Sequence, residues 1–395
     1  MPRPTPFHSR TSALCESHSW QEWSGYLSAN MYELEHTHEY YAIRTACGLF
    51  DLSPLYKYHI HGRDAERLLN RVVTRDVSKC AVGQVFYTPW CDDDGKVIDD
   101  GTLARLGPNH FRLTAAEPTF HWLEQNAVGL DVQVEDVSEA VAALSLQGPT
   151  SRAILNALAA EPITDLRYFR LTQTALAGIP VTVSRTGYTG DLGYEVWAAP
   201  QDAERLWDAL MEAGQAFRLR AMGYQAMDMT RIEAGLLLIN VDFYSASKTS
   251  FAIQKSTPYE LGLGWTVKLD KAPFNGQRAL QREHAQGAAW ATVGLEVSLP
   301  ALEAIYRSFG MPLYMPAHAW SAAVPVYAAG KQIGKATSGT WSPILKKSIA
   351  IARLHPQFAQ PGAKVQIEVT VEAYRRQAEA TVVKMPFFDP PRKRQ

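Results

Sequence analysis

Between Ser184 and Trp197 the chain reads Ser-Arg-Thr-Gly-Tyr-Thr-Gly-Asp-Leu-Gly-Tyr-Glu-Val-Trp, which places glycines at 187, 190 and 193. Glycine reaches backbone conformations closed to other residues, so a segment punctuated in this way must turn tightly. Tyr188 stands between the first two glycines, and Glu195 follows the third on an alternating, strand-like run. Such a loop can lay a ring and a carboxylate against a flat ligand. Taken alone it reads equally well as an ordinary glycine-rich hairpin.

The rest of the composition narrows the context. With 395 residues, 46% hydrophobic and 20% charged, the chain is long enough for two or three structural units. A formal net charge of −1 argues against a nucleic-acid binder working through a broad basic field. The tail Pro391-Arg392-Lys393-Arg394-Gln395 is basic but short, and reads as a solvated end. No apolar run is long enough for a membrane span, and the first residues lack the apolar stretch of a secretory signal. Cys15, Cys47, Cys80 and Cys91 have neither paired spacing nor a CxxC, as expected of reduced thiols in a cytoplasmic protein. His36 with His38, and His59 with His61, have strand-like spacing but no third ligand pattern, so no metal site is expected.

Periodicity divides the chain. Residues 64–73 have helical spacing, and 85–90, 97–106 and 110–115 read as a β-meander with a turn at Asp92-Asp93-Asp94-Gly95. Residues 142–146 form an apolar strand, and Pro149 suits the start of a helix over 150–159. Leu206, Trp207, Leu210 and Met211 share one face of an amphipathic helix over 201–217. Beyond about 290, short apolar strands between turns predict an all-β barrel or sandwich.

Within this frame a few side chains could carry chemistry. Asp99 and Asp100 lie on one strand, so they point to opposite faces and only one can look into a given pocket. Asp228, Arg231 and Glu233 read as a salt-bridged structural lock on a helix. The block Thr257 to Trp265 mixes turn residues with a Trp on a presumed strand.

In this order, Gly48–Ser53, Gly95–Asp100, Leu146-Gln147-Gly148-Pro149, Arg185–Glu195, Arg231–Gly235, Thr257–Trp265, Phe274–Leu280 and Thr337-Ser338-Gly339 resemble the glycine-cleavage T-protein (aminomethyltransferase) family and its tetrahydrofolate-dependent demethylase relatives. The resemblance implies an α+β, three-domain cloverleaf around a central folate cavity. One unit would be 1–51 with 141–285, a second 52–140 carrying Asp100, and the third a C-terminal β-barrel over 286–395. It implies tetrahydrofolate as cofactor, with Asp100 beside the reacting nitrogens as the catalytic group. Leu55, Tyr87, Thr114, Tyr188, Glu195 and Trp265 fall at cofactor-binding positions. An ionised Glu195 can accept charge-assisted hydrogen bonds from the donor-rich edge of a pterin, and aromatic rings offer area to its faces.

The chain also departs from the family pattern. Pro54-Leu55 replaces a His-Met, Thr114-Ala115-Ala116-Glu117 replaces an Asn-Ala-Ala-Asn turn, and Met227 replaces an Arg that reaches the folate. The segment 240–256 is longer than its counterpart, and loops of this kind select substrates more often than they stabilise folds. These changes favour an enzyme that moves a methyl group from a small O-, N- or S-methylated metabolite to N5 of tetrahydrofolate. Tyr244, with Tyr40 and Tyr41, could stack on a cationic methyl donor. The alternatives are the aminomethyltransferase proper, acting on a lipoylated carrier protein, and a non-catalytic folate-binding protein. Neither nucleic acid nor a membrane is expected as a partner.

Overall fold

The computed structural model describes all 395 residues. Three β-structures organise it. A six-stranded sheet runs in the order Leu171–Leu176, Ile179–Ser184, Gly193–Ala198, Ala142–Gln147, Cys47–Asp51 and Leu219–Ala221, antiparallel except for its last pair. A five-stranded antiparallel sheet runs Val85–Cys91, Val97–Gly107, His110–Ala115, Tyr56–His61 and Gln133–Asp136. Six strands between Ala291 and Val383 close into a barrel. The alternation expected from residue 290 onward is therefore a barrel, with Val326, Ala350, Ala352, Ile367 and Val382 filling its interior. No helix is long and apolar enough to cross a membrane.

Each sheet has its own apolar core. Leu144, Leu146, Val183 and Val196 of the first meet Ile154 and Leu155 of the helix Ser151–Leu158 and Leu206, Trp207 and Leu210 of the helix Ala203–Gly214. The meander packs Tyr58, Leu103, Phe111 and Leu113 on Leu68, Leu69 and Val72 of the helix Ala65–Val72. A separate cluster joins them all. It takes Cys91 and Val97 from the meander, Ile232 from the helix Tyr224–Glu233, and Ile349 and Ile351 from the barrel. The lobes thus meet at an apolar junction.

Beside that junction lies a buried ionic knot. Glu233 accepts hydrogen bonds from the Tyr40 hydroxyl at 2.5 Å, from Arg44 Nε at 2.8 Å and Nη2 at 2.5 Å, and from the Ser342 hydroxyl at 2.5 Å. The expected lock is therefore only half right. Arg231 does pair with Asp228, Nε to carboxylate at 2.7 Å, and it also pairs with Asp242. Glu233, two residues beyond Arg231, emerges on another side of the helix and finds Arg44 instead. Asp242 in turn accepts from the hydroxyls of Thr337 at 2.5 Å and Ser338 at 2.7 Å on the barrel. Tyr40 is consumed in this knot and is buried, so it is not available to stack on a ligand.

Removing one partner of a buried pair leaves the other charge uncompensated, which costs about 3–5 kcal/mol. Glu233→Ala should lower unfolding stability by about that much in a denaturant titration. A change below about 1 kcal/mol would show that the knot is not structural.

Candidate active site

A cavity of about 1290 Å³ opens where the three β-structures face one another. Its wall takes Tyr87, Asp100 and Thr114 from the meander, Phe50, Ser145 and Glu195 from the six-stranded sheet, and Val293 and Val383 from the barrel. Ligand pockets typically run to about 300–1,000 Å³, so there is room for an extended ligand and part of a second.

The glycine loop owes its spacing to one neighbour. Side chains at Gly187 and Gly193 would bring their Cβ atoms to 2.0 and 1.9 Å from the Gln147 amide. The loop is wrapped around Gln147, whose Nε2 donates to the backbone oxygens of Thr186 and Tyr194, both at 3.3 Å, while Oε1 accepts from the Thr189 hydroxyl at 3.0 Å. This wrapping holds Tyr188 in the wall, its hydroxyl donating to the Leu237 carbonyl.

The two aspartates divide as their strand positions require. Asp99 is fully buried and braces the turn: it accepts from the backbone N–H groups of Asp100 at 2.8 Å, Ala116 at 3.1 Å and Glu117 at 2.9 Å. Asp100 faces the cavity and accepts from the Tyr87 hydroxyl at 2.6 Å. Burial pushes its carboxyl up to about 6, against the downward pull of the Tyr87 hydrogen bond. A carboxyl in that range is poised to exchange a proton near neutrality.

Glu195 lies opposite Ser145 in the sheet and lines the same cavity. Burial raises its carboxyl above the usual range, opposed by hydrogen bonding from Thr186, by the Arg112 charge and by hydrogen bonding from Ser184. Leu55, Thr114 and Trp265 also line the wall. Trp265 sits on a 3-10 turn, Gly264–Thr266, instead of the presumed strand. It stacks on Tyr87 with ring centroids 6.2 Å apart and is 57% exposed, as a residue at the mouth would be.

Seven of the eight side chains singled out in the sequence thus share one cavity. Tyr244 does not. It lines a separate recess of about 380 Å³ with Phe251 and Gln254, and this recess shares only Asn240 and Lys248 with the main cavity. Glu117 stands at that junction, accepting from Asn240 at 2.7 Å and pairing with Lys248.

Other wall residues had no usable sequence signal. Phe50 lies on a strand buried throughout, so alternation could not reveal which side faced a ligand. Lys393 reaches the wall because the C-terminal tail docks, contrary to its reading as a solvated end. Arg392 clamps the carboxylate of buried Asp191 at 2.7 and 2.8 Å, and Arg185 donates to the tail's backbone at Arg392 and Lys393.

The α+β fold with its closed C-terminal barrel defines this chain as a protein of the glycine-cleavage T-protein fold. The family model described as the GCVT N-terminal domain matches residues 7–271, and that of the glycine cleavage T-protein C-terminal barrel domain matches 313–389. An aminomethyltransferase of Halothermothrix orenii is 35% identical over 380 residues, 95% of this chain and 96% of the relative. One from Bacillus cereus strain B4264 is 35% identical over 356 residues, 89% of each. The crystal structure of glycine cleavage system aminomethyltransferase T from Bartonella henselae superposes with a TM-score of 0.83 at 24% identity, over 98% of this chain and 99% of that one, and so shares its fold. The chain belongs to the glycine-cleavage T-protein family, whose enzymes are tetrahydrofolate-dependent one-carbon transferases.

Because the Tyr87 hydrogen bond holds the Asp100 carboxyl down, Tyr87→Phe should raise it further. A carbon-13 NMR titration of the aspartate carboxyls reads this directly. An unchanged or lowered Asp100 titration would contradict the geometry.

Proposed function

We propose that this protein is an aminomethyltransferase that passes a one-carbon unit from a lipoylated carrier protein to tetrahydrofolate, releasing ammonia. The observation that carries the reading is the Tyr87–Asp100 pair set in a cavity that also presents Glu195. Similarity to aminomethyltransferases over nearly the whole chain supports it over the methyl-donor demethylase suggested by Met227 and by the long 240–256 segment. The exposed position of Tyr244, outside the main cavity, removes one support for a stacked cationic donor.

The residues suit tetrahydrofolate on chemical grounds. The Glu195 carboxylate is an acceptor for a donor-rich pterin edge, and the rings of Tyr188, Tyr224 and Phe50 offer apolar area. Leu55 and Thr114 shape the wall between them, and Trp265 with Tyr87 closes the mouth. When bound, the folate supplies the attacking nitrogen. Asp100 then holds or accepts the proton that this nitrogen gives up. Tyr87 orients the acid, and Asp99 fixes the strand from behind. We extend the proposal to the three-unit division at 1–51 with 141–285, 52–140 and 286–395, supported by the separate core of each β-structure. Four buried, unpaired cysteines support a reducing, cytoplasmic setting.

The test is turnover with an aminomethyl-loaded lipoylated carrier, tetrahydrofolate and detection of ammonia. Asp100→Asn should lower kcat by a factor on the order of 10² or more and leave the tetrahydrofolate Kd nearly unchanged. In the wild type, activity should fall as pH drops through about 6, where Asp100 takes up its proton. Full activity of Asp100→Asn would remove Asp100 from the mechanism. Turnover with small methylated amines or sulfonium compounds, and none with the carrier, would restore the demethylase reading.

A further inference from the structure

Behind Glu195 lies Arg112, a buried cation that makes no direct ion pair. On the strand His110–Ala115, Phe111, Leu113 and Ala115 belong to the apolar core of the meander. Alternation therefore sends Arg112 and Thr114 to the opposite face, and Thr114 lines the cavity. On the strand Gly193–Ala198, Glu195 and Trp197 likewise share a face. The two faces meet: the Arg112 guanidinium lies 3.9 Å from the Trp197 ring centroid. Arg112 is 5% exposed, and its Nε is buried without a hydrogen-bond partner.

A buried guanidinium with an unspent donor is costly unless its charge serves a neighbour. One carboxylate acts on it, that of Glu195. The other titratable groups around it are Lys57, His59 and His110, each of which is disfavoured in its charged form by Arg112. Around Glu195 the remaining polar groups are the hydroxyls of Ser184 and Thr186, with Ser145 opposite on the neighbouring strand. Arg112 is thus the one cation whose charge reaches Glu195, from beyond direct ion-pair contact, and it approaches from the meander, a different lobe.

We propose that Arg112 is a positioning residue for Glu195, presenting that carboxylate to the cavity with the Trp197 ring as its platform. The proposal deepens the folate reading and rests on it for the identity of the ligand, since an ionised Glu195 is the acceptor for the pterin edge. It also links two lobes at the binding site, because Glu195 is set by a charge delivered from the neighbouring sheet.

Two measurements separate this from a merely structural cation–π contact. In the ligand-free protein, carbon-13 NMR of the Glu195 carboxyl should show it titrating higher in Arg112→Met, by on the order of one pH unit, with Arg112→Lys near the wild type. An unchanged Glu195 titration in Arg112→Met overturns the proposal, whatever the protein binds. In calorimetry with tetrahydrofolate between pH 8 and pH 5, the acid loss of affinity should begin at higher pH in Arg112→Met. In a Glu195→Gln background the same change should produce no shift. Equal weakening at every pH, or the same shift without Glu195, also overturns it. If the wild type binds no tetrahydrofolate while Arg112→Met still raises the Glu195 titration, the folate reading fails and the Arg112–Glu195 coupling stands.

Discussion

The buried charge knot around Glu233 is the constraint on which the geometry depends. Arg44 and Tyr40 of the helix Thr37–Thr45 and Ser342 of the barrel converge on one carboxylate. Eleven residues after Arg231, Asp242 joins the helix Tyr224–Glu233 to Thr337 and Ser338 of the barrel. Fully desolvated ions tolerate no loose partner, so the pairs specify one arrangement of the lobes where apolar packing alone would allow sliding. The cavity is the space this arrangement leaves. Its wall is drawn from all three β-structures, so its shape depends on their mutual placement.

Within that frame the reactive groups are set by local rules. Strand alternation turns Asp100 inward and Asp99 outward, and the outward carboxylate braces the following turn. The glycine loop can close around Gln147 only because two of its positions lack side chains. Burial then does the electrostatic work: it lifts the carboxyls of Asp100 and Glu195, while Tyr87 pulls the first back toward ionisation and Thr186, with Arg112, the second.

Much of this was legible in the sequence. The meander and the barrel follow from periodicity, and the cavity positions of Leu55, Tyr87, Asp100, Thr114, Tyr188, Glu195 and Trp265 from the resemblance to the T-protein family that the ordered motifs carry. What was not legible depends on tertiary contact. A basic pentapeptide reads as solvated until buried Asp191, far away in sequence, supplies an anion for Arg392. Glu233 was matched to Arg231 by proximity along the helix, whereas its partner is Arg44. Tyr244 lies on a loop whose path no periodicity sets, and it faces a neighbouring recess. Arg112 resembles any strand cation until two sheets are brought face to face.

The central claim is that one ligand is gripped by three lobes at once. Hydrogen–deuterium exchange with and without tetrahydrofolate tests it most directly. The account predicts simultaneous protection of the strand Val85–Cys91, the strand Gly193–Ala198 and the 383–385 segment by which the barrel unit lines the cavity. Protection confined to a single lobe, or none at saturating ligand, would contradict it.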